Sequence, residues 1–183
     1  MADQGEIYWY DPNPRAIIPL ETFHVSRSLQ RVVKSGRYQI RTNTSFTEVM
    51  RACAAPTPGR ETTWIDEELV AVYTQLHEAG FAHSVETWQD GALVGGLYGV
   101  AIGGLFAGES MFSQARDASK VALVHLVERL RCGGYVLLDT QFMTEHLRRF
   151  GAVEISRGEY KKRLAQALQR SGRWYTIEKM GEN

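Results

Sequence analysis

The chain has 183 residues, enough for one domain with a substantial core, and its 44% apolar and 23% charged residues are ordinary for a globular protein. Lys+Arg and Asp+Glu are 21 each, so net charge selects no partner. The two cysteines form no C-x-x-C motif, the five histidines lack metal-ligand spacing, and neither a signal-peptide pattern nor a long apolar stretch is seen. These features argue against a disulfide scaffold, a legible metal site and a membrane span, and they fit a reducing cytosol.

In chain order, "YWYDPNPRAIIPL" carries three prolines and reads as extended, non-helical chain. "HVSRSLQRVVKSG" reads as a short helix with Ser26 as N-cap and Gly36 as stop, which sets Arg27, Arg31 and Lys34 on one face. With Arg37 and Arg41 these bases occupy a stretch free of acids, from Glu21 to Glu48, while Glu61, Asp66, Glu67 and Glu68 make the next region acidic. A basic face of this kind suits a polyanion, or is simply solvated. "YQIRTNTSF" suggests a strand, and "SFTEVMRACAA" a helix with a Ser45–Glu48 capping box. "APTPGRETTW" is a loop. "IDEELVAVYTQLHEAG" is an amphipathic helix with Ile65, Leu69, Val72, Tyr73 and Leu76 on one face.

"AHSVETWQ", an Asp90-Gly91 turn and "ALVGGLYGVAIGGLFAGESMF" predict a hairpin and a further strand. "SKVALVHLVERLRCGG" predicts a helix capped by Ser119 and stopped at Gly133. "YVLLDTQ" predicts a short strand, and helices follow with Thr144 or Ser156 as caps. "LFAGESMF", the helix and "YVLLDTQ" make a βαβ unit with parallel strands, whose ligands collect at the strands' carboxyl ends.

Alternation puts Leu105, Ala107, Glu109 and Met111 on one face, and Tyr135, Leu137, Asp139 and Gln141 on one face of the second strand. If the faces match, two carboxylates and a carboxamide form a polar cluster beside Met111 and Leu97, the form of a small-ligand site. Glu109 in an otherwise apolar run then borders a cavity; spacing leaves open that it caps a backbone amine or pairs with a base. "GESMF" falls one glycine short of G-x-S-x-G, and its Ser110 sits within a strand, against a serine hydrolase. A GNAT-type acetyltransferase shares the strand–helix–strand order but cradles a pyrophosphate on a glycine-rich turn; "SQARDAS" has none.

"YWYDPNPRAIIPL", "FHVSRSLQR", "TWIDEELVAVYTQLHEAGFAHSVETW", "LVGGLYGVAIGGLFAGESMFS", "ASKVAL" and "LLDTQ" resemble, in order, the leucyl/phenylalanyl-tRNA–protein transferase family over nearly the whole chain. The resemblance implies a cytoplasmic bacterial enzyme with an α/β, GNAT-like acyltransferase fold, a mixed sheet flanked by helices. It implies movement of leucine or phenylalanine, less well methionine, from aminoacyl-tRNA to proteins with N-terminal Arg or Lys, creating a degradation signal. No cofactor, metal or membrane is implied. Asp139 and Gln141 resemble the family's catalytic D-x-Q pair, and Glu109 its substrate-orienting glutamate. Leu97, Phe106, Gly108, Met111, Leu123 and Leu126 resemble its aminoacyl pocket. Trp64 resembles a residue that stacks on the terminal adenine, and Arg27, Arg31 and Lys34 the acceptor-stem contact. Residues 1–14 are expected to be the remnant of a small N-terminal domain, and 15–183 the transferase domain. A shortened member that binds tRNA without transfer, or an acetyltransferase, is the alternative. A catalytic Asp139 is expected to tolerate Asp139→Asn with little change in melting temperature and a large loss of rate.

Overall fold

The computed structural model describes residues 2–3, 6–7, 10–57 and 61–175. In order, the elements are β1 (Ala2–Asp3), β2 (Glu6–Ile7), β3 (Arg15–Ile18), α1 (Arg27–Lys34), β4 (Gln39–Thr42), α2 (Phe46–Ala54), α3 (Glu67–Glu78), β5 (Ala82–Gln89) and β6 (Ala92–Ile102). There follow β7 (Leu105–Ser113), α4 (Ala118–Cys132), β8 (Leu137–Gln141), α5 (Glu145–Arg148), β9 (Val153–Ile155) and α6 (Arg157–Leu168). β1 and β2 pair as a small ribbon; the remnant expected over 1–14 lies partly outside the described residues. Among the described residues no helix is long and apolar enough to cross a membrane.

Local sequence accounts for most of these boundaries. The Ser26 side chain accepts from Leu29 N, Asp66 from Leu69 N, Thr144 from Leu147 N and Ser156 from Glu159 N, each satisfying a first-turn amide. Two cap expectations are corrected. Ser45 makes no side-chain cap; its amide and that of Thr44 donate instead to the buried carboxylate of Glu86, both at 2.9 Å. Ser119 lies inside α4, and its amide donates to Ser113 Oγ at 3.1 Å, so the preceding strand supplies the cap. Asp90 and Gly91, at φ 51° and 77°, form the tight turn between β5 and β6 that the Asp-Gly pair predicts.

The main sheet has seven strands in the order β4-β5-β6-β7-β8-β3-β9. Among the described residues of this sheet only β7 and β8 run parallel; every other neighbour is antiparallel. α1 and α4 cover one face over a core that includes Leu97, Phe106, Leu123, Leu126 and Leu138. α2 and α3 cover the other, over Tyr98 and Phe112, with α6 beside them over Leu105 and Leu137.

The β6–β7 register contains one irregularity that decides the site. Tyr98 opposes Ser110 and Gly99 opposes Gly108, so Glu109 is the extra residue of a bulge. A bulge flips the alternation. Leu105 therefore faces the α6 side while Met111 faces the α4 side with Phe106, correcting the expected common face of Leu105 and Met111. Gly99 permits this approach: a Cβ there would lie 2.3 Å from the Ala107 carbonyl oxygen.

Candidate active site at a strand fork

β7 and β8 pair only from Leu105–Leu137 to Ala107–Asp139. Beyond that point β7 stays with β6, while β8 stays with β3 and ends at Gln141, whose φ of 58° takes it out of extended geometry. The strands part at Gly108. A cavity of about 800 Å³ opens in the fork and reaches both faces of the sheet.

On the α4 side its wall is Leu97, Met111, Leu123, Leu126, Leu138 and Leu147. On the α3 side it is Trp64, Leu69, Val72, Tyr73, Leu76 and Tyr98. Glu109, Gln141 and Arg15 bring polar groups to the fork itself. Tyr10, Val72 and Phe142, each about half exposed, contribute further apolar surface to the lining. This is the expected form of a small-ligand site, apolar walls with a few convergent polar groups.

Five of the six expected pocket residues line the cavity: Leu97, Gly108, Met111, Leu123 and Leu126. Phe106 does not. It pairs with Leu138 where the strands are still closed, is fully buried, and stacks on Trp174 at 5.6 Å. Gln141 and Glu109 line the cavity; Asp139, with no exposed surface, stands behind its wall.

Asp139 is fully partnered. Arg15 grips it with Nε at 3.1 Å from Oδ1 and Nη2 at 2.7 Å from Oδ2. The Tyr160 hydroxyl donates to Oδ2 at 2.9 Å, and the Gln141 amide to Oδ1 at 3.0 Å. Arg15 also lies 4.2 Å over the Tyr160 ring and 3.7 Å from Asp11. The aspartate thus holds Arg15 and the backbone of Gln141 in place.

Glu109 is half-buried. Burial pushes its carboxyl up to about 7, and the Asp139 charge acts in the same direction. A hydrogen bond with Tyr73 and the charge of Arg15 oppose the rise. Tyr73 in turn packs edge-on against Tyr98 at 5.6 Å. A carboxyl that changes charge near neutral pH inside a cavity suits proton transfer.

Arg15, Tyr73 and Tyr160 were missed by sequence reasoning. Tyr73 carried a signal, since it sits on the apolar face of a helix and needs a polar partner for its hydroxyl. Arg15 and Tyr160 lie far from Asp139 in sequence and gave none. Arg27, Arg31 and Lys34 are exposed on α1, away from the cavity lining, with no carboxylate within 4 Å among the described residues.

The family described as leucyl/phenylalanyl-tRNA protein transferase matches residues 17–165. Proteins named leucyl/phenylalanyl-tRNA–protein transferase are similar to this chain. The one from Herpetosiphon aurantiacus is 63% identical over 92% of this chain and 87% of its own length. Those from Paramagnetospirillum magneticum and Maricaulis maris are 58% and 60% identical, over 94% and 91% of this chain and 82% and 77% of their own. Among solved structures, L-PGS from Bacillus licheniformis matches in fold, with a TM-score of 0.51 at 14% identity, over 86% of this chain and 65% of that one.

Proposed function

The chain belongs to the leucyl/phenylalanyl-tRNA protein transferase family, and on that premise we propose that it moves leucine or phenylalanine, less well methionine, from aminoacyl-tRNA to an N-terminal Arg or Lys of an acceptor protein. The observation that carries the reading is the half-buried Glu109 that shares with Gln141 the fork of a largely apolar cavity. The parallel strand pair that parts at Gly108 supports a GNAT-like fold, and a tRNA donor supports a cytoplasmic location.

The reaction exchanges an ester for an amide. The acceptor α-amine attacks the carbonyl carbon, a C–N bond forms, the C–O bond to the terminal ribose breaks, and one proton moves from nitrogen to the ribose oxygen. An α-amine with an unperturbed pKa of about 7.7–8 is readily neutral, so positioning and proton handling remain. Glu109 takes the amine proton and returns it to the leaving oxygen. Gln141 orients the amine by hydrogen bonding, being too weak a base to hold the proton. Asp139, closed off behind Arg15 and Tyr160, is a positioning residue. The donor side chain fills the chamber of Leu97, Met111, Leu123 and Leu126, Trp64 stacks on the terminal adenine, and α1 takes the acceptor stem.

The test is transfer of labelled leucine and phenylalanine from tRNA to peptides beginning with Arg, Lys or Asp. Transfer to Arg and Lys alone is expected; no transfer to any peptide overturns the reading. Met111→Phe narrows the donor chamber and is expected to cost phenylalanine transfer about tenfold more than leucine transfer, a difference of the order of one methylene in an apolar pocket. Equal losses, measured as kcat/KM for the two donors, place Met111 outside the chamber.

A further inference from the structure

α1 is not the end of the chain's basic surface. Arg37, exposed just after α1, lays its guanidinium 5.2 Å from the centre of the Tyr38 ring. Tyr38 is buried in the α1–α4 core, and its hydroxyl donates to the Arg116 carbonyl oxygen at 2.7 Å. One aromatic ring therefore fixes Arg37 beside the loop between β7 and α4. The Arg116 side chain on that loop is 88% exposed. Asp117 lies 3.7 Å from Arg116 and 2.6 Å from Lys120, one turn into α4. Lys120 and Arg149 both act electrostatically on His146, which lines the cavity; His146 is held below the usual histidine range by burial and by these two cations. On the other sheet face Asp66 caps α3 and Glu67 and Glu68 stand in its first turn, Glu67 paired with Arg51 at 3.1 Å.

We propose that Arg37 and Arg116 contact the RNA backbone, continuing the α1 contact along a cationic track toward the α4 side of the cavity. The proposal rests on the tRNA-dependent reading above and adds two phosphate-binding residues to it. An aminoacyl-tRNA whose stem lies on α1 must carry its unpaired end to the fork, and Arg37, Arg116, Lys120 and Arg149 lie along that path. Each phosphate neutralised by a base releases condensed counterions, so the contact is read in the salt dependence of binding. Arg37 has no carboxylate within 4 Å among the described residues, and Arg116 only the one at 3.7 Å, so both charges are available to phosphate. Of the two ends of the path, α1 holds the base-paired stem, and the Arg37–Arg116 step holds the chain as it leaves the stem.

The experiment measures tRNA affinity of the full chain against salt, for the wild type, R37Q/R116Q, R37K/R116K and R27Q/R31Q. Loss of two phosphate contacts flattens the slope of log K against log salt by about 1.4–1.8. Between 50 and 200 mM salt the wild-type advantage over R37Q/R116Q then shrinks roughly tenfold. The lysine pair keeps the wild-type slope, because a phosphate accepts a point charge. R27Q/R31Q flattens the slope separately, and the two effects add. A wild-type slope retained by R37Q/R116Q overturns the proposal alone. A slope lost equally in the lysine pair assigns the effect to local structure and overturns it as well. A wild type that binds tRNA without salt dependence overturns the proposal together with the tRNA reading on which it rests.

Discussion

Glu109→Gln is expected to lower the single-turnover transfer rate by about 10²–10⁴-fold while making the protein more resistant to heat above neutral pH. The rate loss follows from removing the group proposed to take the amine proton while the size and much of the hydrogen bonding of the side chain are kept. In the wild type the rate is expected to rise with pH through about 7, as the Glu109 carboxyl ionises. The acceptor amine adds its own rise near 8, roughly its unperturbed value. In the variant the first rise is gone and the second remains. A variant that transfers at the wild-type rate when saturated with both substrates removes Glu109 from the chemical step.

The stability half has a definite sign. The Glu109 carboxyl has its pKa raised from 4.5 to about 7, chiefly by burial. A carboxyl shifted upward favours the folded state while protonated; that contribution is complete below the unfolded value and lost as pH rises through the folded one. Glutamine stays neutral throughout. At about pH 4, below the unfolded value, the two proteins melt alike, and at pH 8 the variant melts higher, by about 2–4 °C for each kcal/mol involved. Equal melting temperatures at pH 8 would mean that the site imposes no penalty on the charge. A residue kept for packing would show neither half of this pattern.

Much of this arrangement is written in local sequence. The apolar period of α3 and α4, the Asp90-Gly91 turn and the caps at Ser26, Asp66, Thr144 and Ser156 are short-range signals that the fold obeys. The strand–helix–strand order was enough to bring Glu109 and Asp139 to the same end of the sheet. What local patterns do not carry is register. The extra residue at Glu109 arises from pairing with β6, and no alternation within β7 announces it. From that single bulge follow the reversed face of Met111 and, with the parting of β7 from β8, the cavity. Phe106 lies outside the lining because the fork opens two residues later. Contacts across long stretches were equally hidden. Arg15 meets Asp139 across 124 positions. Glu86 draws the amides of Thr44 and Ser45, 42 and 41 positions away, to one buried carboxylate.

The hidden Arg15–Asp139 contact reverses the expected behaviour of Asp139. A catalytic aspartate at the cavity surface would tolerate Asp139→Asn with little change in melting. This one is fully buried, accepts from Arg15, Tyr160 and the Gln141 amide, and leaves all three short of an anion when replaced. Breaking a buried ion pair from one side costs about 3–5 kcal/mol, so Asp139→Asn is expected to melt roughly 6–20 °C lower. Adding Arg15→Gln removes the stranded cation and should restore part of the loss, a coupling that a double-mutant cycle measures directly. The rate should fall too, through Gln141, whose backbone loses its anchor. A second readout separates positioning from simple unfolding. The Asp139 charge raises the Glu109 pKa while Arg15 lowers it. Removing the aspartate and freeing the arginine both push Glu109 down, so the rise in rate near pH 7 should move to lower pH in whatever protein stays folded. If Asp139→Asn melts as the wild type does, the ion pair contributes nothing to the fold. If the limb near pH 7 does not move, Asp139 does not act through Glu109.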